Sequence, residues 1–186
     1  MKLAILGIDG VGKSTVIDQV LKKYHGQKIK HFHFMPIDYI ERGNNSDDFS
    51  KIKTYNLFLS QIKLIYIILK FNIFWLLNIT FLKYDIILFD RVIFDAALDP
   101  ERYLLNKKTK GLSLLFLMIK YMDKVIILHC DKTELIKRSQ ENSLERIEKV
   151  QGLYINAAHK YNLKLVNTNN DIIKITKEIY EELEDI

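Results

Sequence analysis

The sequence predicts an α/β fold, a parallel sheet of about five strands covered by helices on both faces. Three observations predict it. Short apolar runs alternate with helix-spaced amphipathic segments along all 186 residues. The first run ends at Gly7 and opens directly into a glycine-containing loop and a helix. Only seven Gly and two Pro occur, which argues for long elements joined by short loops.

Lys2 to Leu6 is an apolar run that reads as a buried strand. Beyond the loop, Val16, Ile17, Val20, Leu21 and Tyr24 recur at helical spacing. Lys22, Lys23 and His25 suit a helix C-terminus, and Gly26 stands where a C-cap glycine belongs. Ile29 to Phe34 reads as a second strand, ended by Pro36. Residues 43–50 are polar and read as a surface loop, followed by a long helical region to about Leu82. Asp85 to Phe89, closing on Asp90, is the third strand and Lys124 to His129 the fourth, with a basic turn at Asn106 to Lys110 between them. Asp131 and Glu134 match a capping box. Ser143 is positioned to cap a further helix that carries Leu144, Ile147, Val150, Tyr154, Ala158 and Tyr161 on one face. Leu163 to Val166 is the last strand. Asp171 caps a final helix that turns Ile172, Ile175, Ile179 and Leu183 inward. No repeat or linker divides the chain, so a single domain over residues 1–186 is expected.

The formal charge of +5 suits a small anionic ligand and gives no indication of nucleic acid. The single Cys130 excludes an internal disulfide framework and fits a reducing compartment. Met1 leads straight into a strand with no apolar signal region, so a cytoplasmic location is expected. Leu64 to Leu82 is nearly all apolar, and about 18 such residues can span a bilayer. Lys70, Asn72 and Asn78 fall inside it, and a central lysine costs about 2.5–3.5 kcal/mol to insert. A helix buried between protein layers is therefore expected rather than a transmembrane span, with peripheral membrane contact as the alternative. The same apolar helix is the candidate surface for a homodimer.

Gly7-Ile-Asp-Gly-Val-Gly12-Lys13-Ser14 is a complete P-loop pattern in the right context, strand before and amphipathic helix after. Its chemistry explains its spacing. Gly7, Gly10 and Gly12 let consecutive N–H groups, Val11's included, turn around a phosphate without Cβ clashes. The helix beginning near Lys13 adds its positive N-terminal end, joined by Ser14 and Thr15. Lys13 supplies charge to the β- and γ-phosphates of ATP, and the Ser14 hydroxyl is a candidate Mg²⁺ ligand.

Asp90 and Arg91 close an apolar strand with an acid and a base. Beside a P-loop, a carboxylate there can hold Mg²⁺ and an arginine can clamp phosphate oxygens. Alone, the pair would read as a surface ion pair. His31 and His33 share a strand face, a spacing compatible with a metal, yet no third ligand stands nearby; packed or exposed histidines are the plainer reading. Cys130 reads as a structural thiol.

Asp9 within the loop, Asp90-Arg91 after a strand, and a short basic helical segment before a Tyr-bearing helix resemble the thymidylate kinase family. The resemblance runs from end to end and is sharp in three blocks. It implies a P-loop kinase three-layer sandwich with a short helical lid over residues 137–150. In that family an acid at the position of Asp9 contacts the sugar 3′-hydroxyl of the monophosphate, and the pair matching Asp90-Arg91 works at the phosphates and Mg²⁺. Members without an arginine in the P-loop take their transition-state cation from the lid. Here Gly10 and Val11 stand in the loop, and Lys137-Arg138-Ser139-Gln140-Glu141 begins the matching lid, with Arg146 and Lys149 beyond. Arg138 is the candidate, against the alternative of a solvated basic helix face.

The departures fall on the acceptor side. Phe34-Met35-Pro36 stands where the family places Arg before Pro. Lys63 and Lys70 replace an arginine of the middle helix. Asp95-Ala-Ala-Leu-Asp99-Pro100-Glu101-Arg102-Tyr103 stands in place of Ser-x-x-Ala-Tyr-Gln. That variant is similar to a divergent thymidylate kinase-like branch often associated with surface-polysaccharide synthesis. The resemblance thus implies Mg²⁺-dependent phosphoryl transfer from ATP to a nucleoside monophosphate, dTMP first. Lys13, Asp90, Arg91 and Arg138 are the catalytic candidates, and Asp9, Arg91 and Asp95 the acceptor-binding ones. A kinase of another alcohol or sugar phosphate, and an ATP-binding regulator without turnover, remain the alternatives.

Overall fold

The computed structural model describes residues 1–24, 26–33, 54–80, 83–138 and 144–184. His25, Phe34-Met35-Pro36, the expected loop at 43–50, Leu82, Ser139 to Glu141 and the expected cap Ser143 lie outside the described residues.

Five strands form one parallel sheet: β1 (Lys2–Leu6), β2 (Ile29–His33), β3 (Ile86–Asp90), β4 (Lys124–His129) and β5 (Lys164–Asn167), in the order β2-β3-β1-β4-β5. β1 lies at the centre, parallel to β3 on one side and β4 on the other. Leu3, Ala4, Ile5 and Leu6 are fully buried. That is why the strand is continuously apolar instead of alternating. The third and fifth strands each run one residue further than their apolar patterns suggest. Asp90 stays in the ladder opposite Ile5, and Asn167 opposite His129. Hydropathy marks where burial ends, whereas pairing continues until the backbone turns.

Among the described residues the α-helices are α1 (Lys13–Lys23), α2 (Leu57–Phe74), α3 (Asp95–Leu98), α4 (Lys132–Arg138), α5 (Leu144–Tyr161) and α6 (Ile172–Glu184). α5 packs on β4 and β5, burying Ile147, Val150, Tyr154 and Ala158 as its spacing predicts. Asp171 caps α6, its carboxylate accepting from the Ile173 N–H at 3.4 Å. α6 also locks α1. Tyr180 donates to the Gln19 carbonyl at 3.0 Å, meets the Tyr24 ring edge-on, and lies under the Lys23 ammonium.

The chain divides into two compact units. The sheet unit holds Met1–Phe32, Tyr84–Asp90 and Met122–Ile186; the helical unit holds His33–Lys83 and Arg91–Tyr121. The boundary thus falls between Asp90 and Arg91.

In the helical unit, Asn56 caps α2 by accepting from the Leu59 N–H at 2.9 Å. α2 turns Ser60, Leu64, Ile67 and Phe71 inward and continues as a π-turn over Trp75–Thr80. Ser60 Oγ accepts from the Asn106 N–H, and Gln61 donates to the Lys110 carbonyl. Trp75 and Phe71 meet Tyr121 at the end of a 3₁₀ segment, Leu112–Tyr121. The expectation that this helix is buried between layers is corrected here. Its opposite side is open, with Phe58 at 72% and Leu77 at 61% exposure. One face alone, at spacing i, i+4, i+7 and i+11, meets the rest of its unit. By length and composition Leu57–Ile79 is long and apolar enough to cross a membrane.

Candidate active site

The P-loop starts where β1 leaves the sheet. Gly7 has φ +148°, and a Cβ there would stand 2.7 Å from the Leu128 carbonyl oxygen of β4 and 2.9 Å from Val11 Cγ1. The loop therefore lies on the neighbouring strand, and only glycine permits that approach. Gly12 caps α1 at φ +96° with open space where its Cβ would be, so conformation rather than room selects glycine there.

Lys13 opens α1 and turns back under the loop. Its ammonium donates to the carbonyls of Gly7 and Ile8, both at 2.9 Å, and lies 3.6 Å from Asp9 Oδ1. With 8% exposure, this cation is held by backbone. Val11 is fully buried, and its N–H donates to the Ile8 carbonyl at 3.4 Å. Ser14 and Thr15 face outward from the first turn. Asp90, buried at the end of β3, pairs in register with Ile5, two residues before Gly7. A hydroxyl and a carboxylate flanking the loop form a hard oxygen donor set, which fits Mg²⁺.

All strands being parallel, Asp90 at the last position of β3, and Gly7, Cys130 and Thr168 just past β1, β4 and β5, lie at strand C-termini along one sheet edge, the edge where such folds bind ligands. Arg138 ends α4 at this edge. Its guanidinium donates to the Thr168 carbonyl at 3.5 Å and pairs with Glu134 at 3.2 Å, and its side chain is 41% exposed. Lys137 also reaches Glu134, and hydrogen bonding and charge from Lys137, then Arg138, hold that carboxyl below its ordinary range. Arg146 is half-buried and Lys149 exposed on α5. Burial pushes the Cys130 thiol up against the lowering influence of Thr168 and Arg138, so it is a protonated structural group. His31 and His33 are exposed on β2.

In the helical unit, Arg91 adopts φ +66°, left-handed for a residue with a side chain. It is 4% exposed, and its Nη1 meets Asp95 Oδ2 at 2.8 Å. The same oxygen accepts from the Tyr103 hydroxyl at 2.8 Å. Asp95 is fully buried, so the carboxylate expected at the acceptor is engaged by two donors of its own unit. Burial first, then Asp95's charge, raise the Tyr103 hydroxyl well above its ordinary range and keep it a donor. Arg102 and Asp99 are buried nearby in sequence. Sequence reasoning missed Tyr103, which lies in a separate 3₁₀ turn, Pro100–Tyr103, so no single helical period links it to Asp95.

The family model described as thymidylate kinase matches residues 5–186. Among solved structures, deoxyadenosine kinase from M. mycoides with bound dCTP aligns at TM-score 0.62 and 19% identity, with 100% of both chains covered. Thymidylate kinase from Candida albicans aligns at TM-score 0.62 and 16% identity, covering 99% of this chain and 91% of that one. Thymidylate kinase from Ehrlichia chaffeensis gives 0.58 and 18%, with 99% and 98% covered. At these identities the likeness is one of fold. No curated protein matches in sequence. The family match across nearly the whole chain, on a sheet whose central strand delivers a complete P-loop, decides the assignment: the chain belongs to the thymidylate kinase family and is a nucleotide phosphotransferase.

Proposed function

We propose that the protein transfers the γ-phosphoryl group of Mg²⁺·ATP to a nucleoside monophosphate, with dTMP the first acceptor and dTDP and ADP the products. Both units act as one kinase domain in this reading. The observation that carries it is Lys13, held by the Gly7 and Ile8 carbonyls beside the strand end bearing Asp90. Phosphoryl transfer asks little covalent work of a protein; positioning and charge neutralisation supply the acceleration.

Each residue has a part. The loop amides and Lys13 hold the β- and γ-phosphates, with Thr15 at the same helix end. Ser14 and Asp90 are the residues that would hold Mg²⁺, which supplies charge neutralisation between phosphates. Asp9 is assigned the acceptor sugar hydroxyl. Arg91 is assigned phosphate oxygens, and Asp95 acts on the acceptor through the guanidinium it orients. Arg138 is assigned the charge that develops on the transferred group. Its exposed contacts with Glu134 and the Thr168 carbonyl are of the weak surface kind that exchange readily.

A second reading is favoured by one observation: Phe34-Met35-Pro36 carries no arginine for an acceptor phosphate. In it the acceptor is a nucleoside or sugar phosphate. Acceptor-dependent ADP release, screened over nucleoside monophosphates, nucleosides and sugar phosphates, separates the two. The fastest turnover is expected with dTMP. Faster turnover of a sugar phosphate replaces the first reading, and ATP binding without release in any mixture leaves a non-catalytic regulator.

A further inference from the structure

We propose that Gln151 is a positioning residue: through Cys130 it fixes the start of α4 and thereby the place of Arg138. This rests on Arg138 acting at the transferred phosphoryl group. α5 buries Ile147, Val150, Tyr154 and Ala158 against the sheet. At about 100° per residue, Gln151 lies within about 40° of Ile147 and of Ala158, on the stripe where an amphipathic helix carries apolar side chains. It carries an amide instead. Its Nε2 donates to the Cys130 carbonyl at 2.9 Å, and its Oε1 accepts from the Cys130 N–H at 3.4 Å.

The place explains the residue. The β4–β5 ladder ends at the pair His129–Asn167 and is closed by the Thr168 N–H on the His129 carbonyl at 2.8 Å. One residue further, the main chain of buried Cys130 is paired by the Gln151 side chain in place of a strand. A primary amide offers the same donor and acceptor as a peptide group, which no apolar side chain can. Asn169 Oδ1 then accepts from the Asp131 N–H at 3.0 Å, and the Asp131 carbonyl accepts from the Glu134 and Leu135 N–H groups that open α4. The helix thus grows from a root held at two successive residues.

Geometry makes that root matter. α4 spans seven residues, so it is about 10 Å long. A tilt of about 10° displaces one end against the other by about 2 Å, and about 1 Å of misplacement can cost about a hundredfold in rate. Other ties on α4 are weaker guides. Leu135 is buried and pins the middle of the helix without setting its direction. Arg138 pairs with Glu134 of the same helix and reaches the Thr168 carbonyl at 3.5 Å. Lys132 pairs with Glu148 of α5 in an exposed contact. The P-loop does not share this dependence, because Leu128, whose carbonyl abuts Gly7, pairs with Val166 inside the ladder.

The test is steady-state kinetics of the full chain with ATP and the acceptor of fastest ADP release, beside thermal unfolding. Gln151→Met keeps the length of the side chain and removes both hydrogen bonds. It is expected to lower kcat at least about tenfold with KM for ATP within about twofold of wild type. Added to Arg138→Ala it should cost nothing further, since a residue acting through Arg138 has no effect once Arg138 is gone. Lys132→Ala should leave kcat unchanged. Gln151→Asn, the same amide one methylene shorter, gives the same reading should Gln151→Met fail to fold. Unchanged kcat in both Gln151 variants, beside a loss in Arg138→Ala, overturns the proposal alone. So does a loss that multiplies with that of Arg138→Ala, or a raised KM with kcat intact. Arg138→Ala at wild-type kcat, or no ADP release from wild type with any acceptor, overturns the reading beneath it and this proposal with it.

Discussion

The two units hold their buried cations by different means. In the sheet unit, Lys13 rests on main-chain carbonyls of a loop fixed by β1 and β4, so its position depends on backbone geometry. In the helical unit, Arg91 is held by a side chain that is itself held by a side chain, Asp95 with Tyr103 behind it. A backbone cradle tolerates substitution around it, provided the glycines stay. A buried side-chain relay has no such reserve, because removing one member strands the others without water. Substitution at the sheet unit's cradle should therefore remove chemistry without removing stability, and substitution in the helical unit's relay should remove stability as well.

The largest effect tests the first half of that contrast. Lys13→Ala should reduce ADP production by at least about a thousandfold, at the upper end of what one charge-stabilising group supplies, while thermal unfolding stays near wild type. Activity near wild type would remove the kinase assignment. Next comes Arg138→Ala, expected to lower kcat by at least about a hundredfold with ATP affinity nearly unchanged. The same substitution at Arg146 and Lys149 is the control, and Arg138→Lys should recover only part of the loss. A rise in KM for ATP with kcat intact would make Arg138 a binding contact.

Tyr103→Phe sharpens the other half. It removes one donor from a buried carboxylate and should cost about 1–3 kcal/mol in urea unfolding. It should also raise KM for the acceptor more than for ATP. A loss of stability with unchanged acceptor kinetics would make the cluster purely structural. The smallest effect concerns pH. Cys130 titrates above its ordinary value in the folded chain, so the unfolded chain releases that proton first. Its contribution is complete below the ordinary thiol value and is lost as pH rises through and beyond it. Unfolding measured across the alkaline range should show a steeper loss in wild type than in Cys130→Ala.

Legibility in the sequence followed periodicity. β1, β3 and β4 and the P-loop were readable because buried parallel strands are continuous apolar runs and because glycine spacing follows phosphate geometry, whereas β2 and β5 are only partly buried and carry shorter apolar signals. Asp90 was readable from its place at a strand end. The openness of α2 was not. A helix apolar all round carries no angular signal, so its sequence cannot say which face has a neighbour. Nor was the Asp95–Tyr103 contact. Residues 95–98 and 100–103 belong to two short helices interrupted at Asp99, and no single period links them.

The central position of β1 bears on how the chain is made. Of the five strands it is the first to be synthesised, yet its two partners end at residues 90 and 129. Until both have left the ribosome, a fully apolar strand has one or both edges unpaired, the condition that invites pairing with another chain. The helix behind the P-loop waits longer still, since Gln19 is fastened by Tyr180, 161 residues downstream. Fastening of the helix behind the P-loop is thus a late event in synthesis, reached only when residue 180 has come back to residue 19.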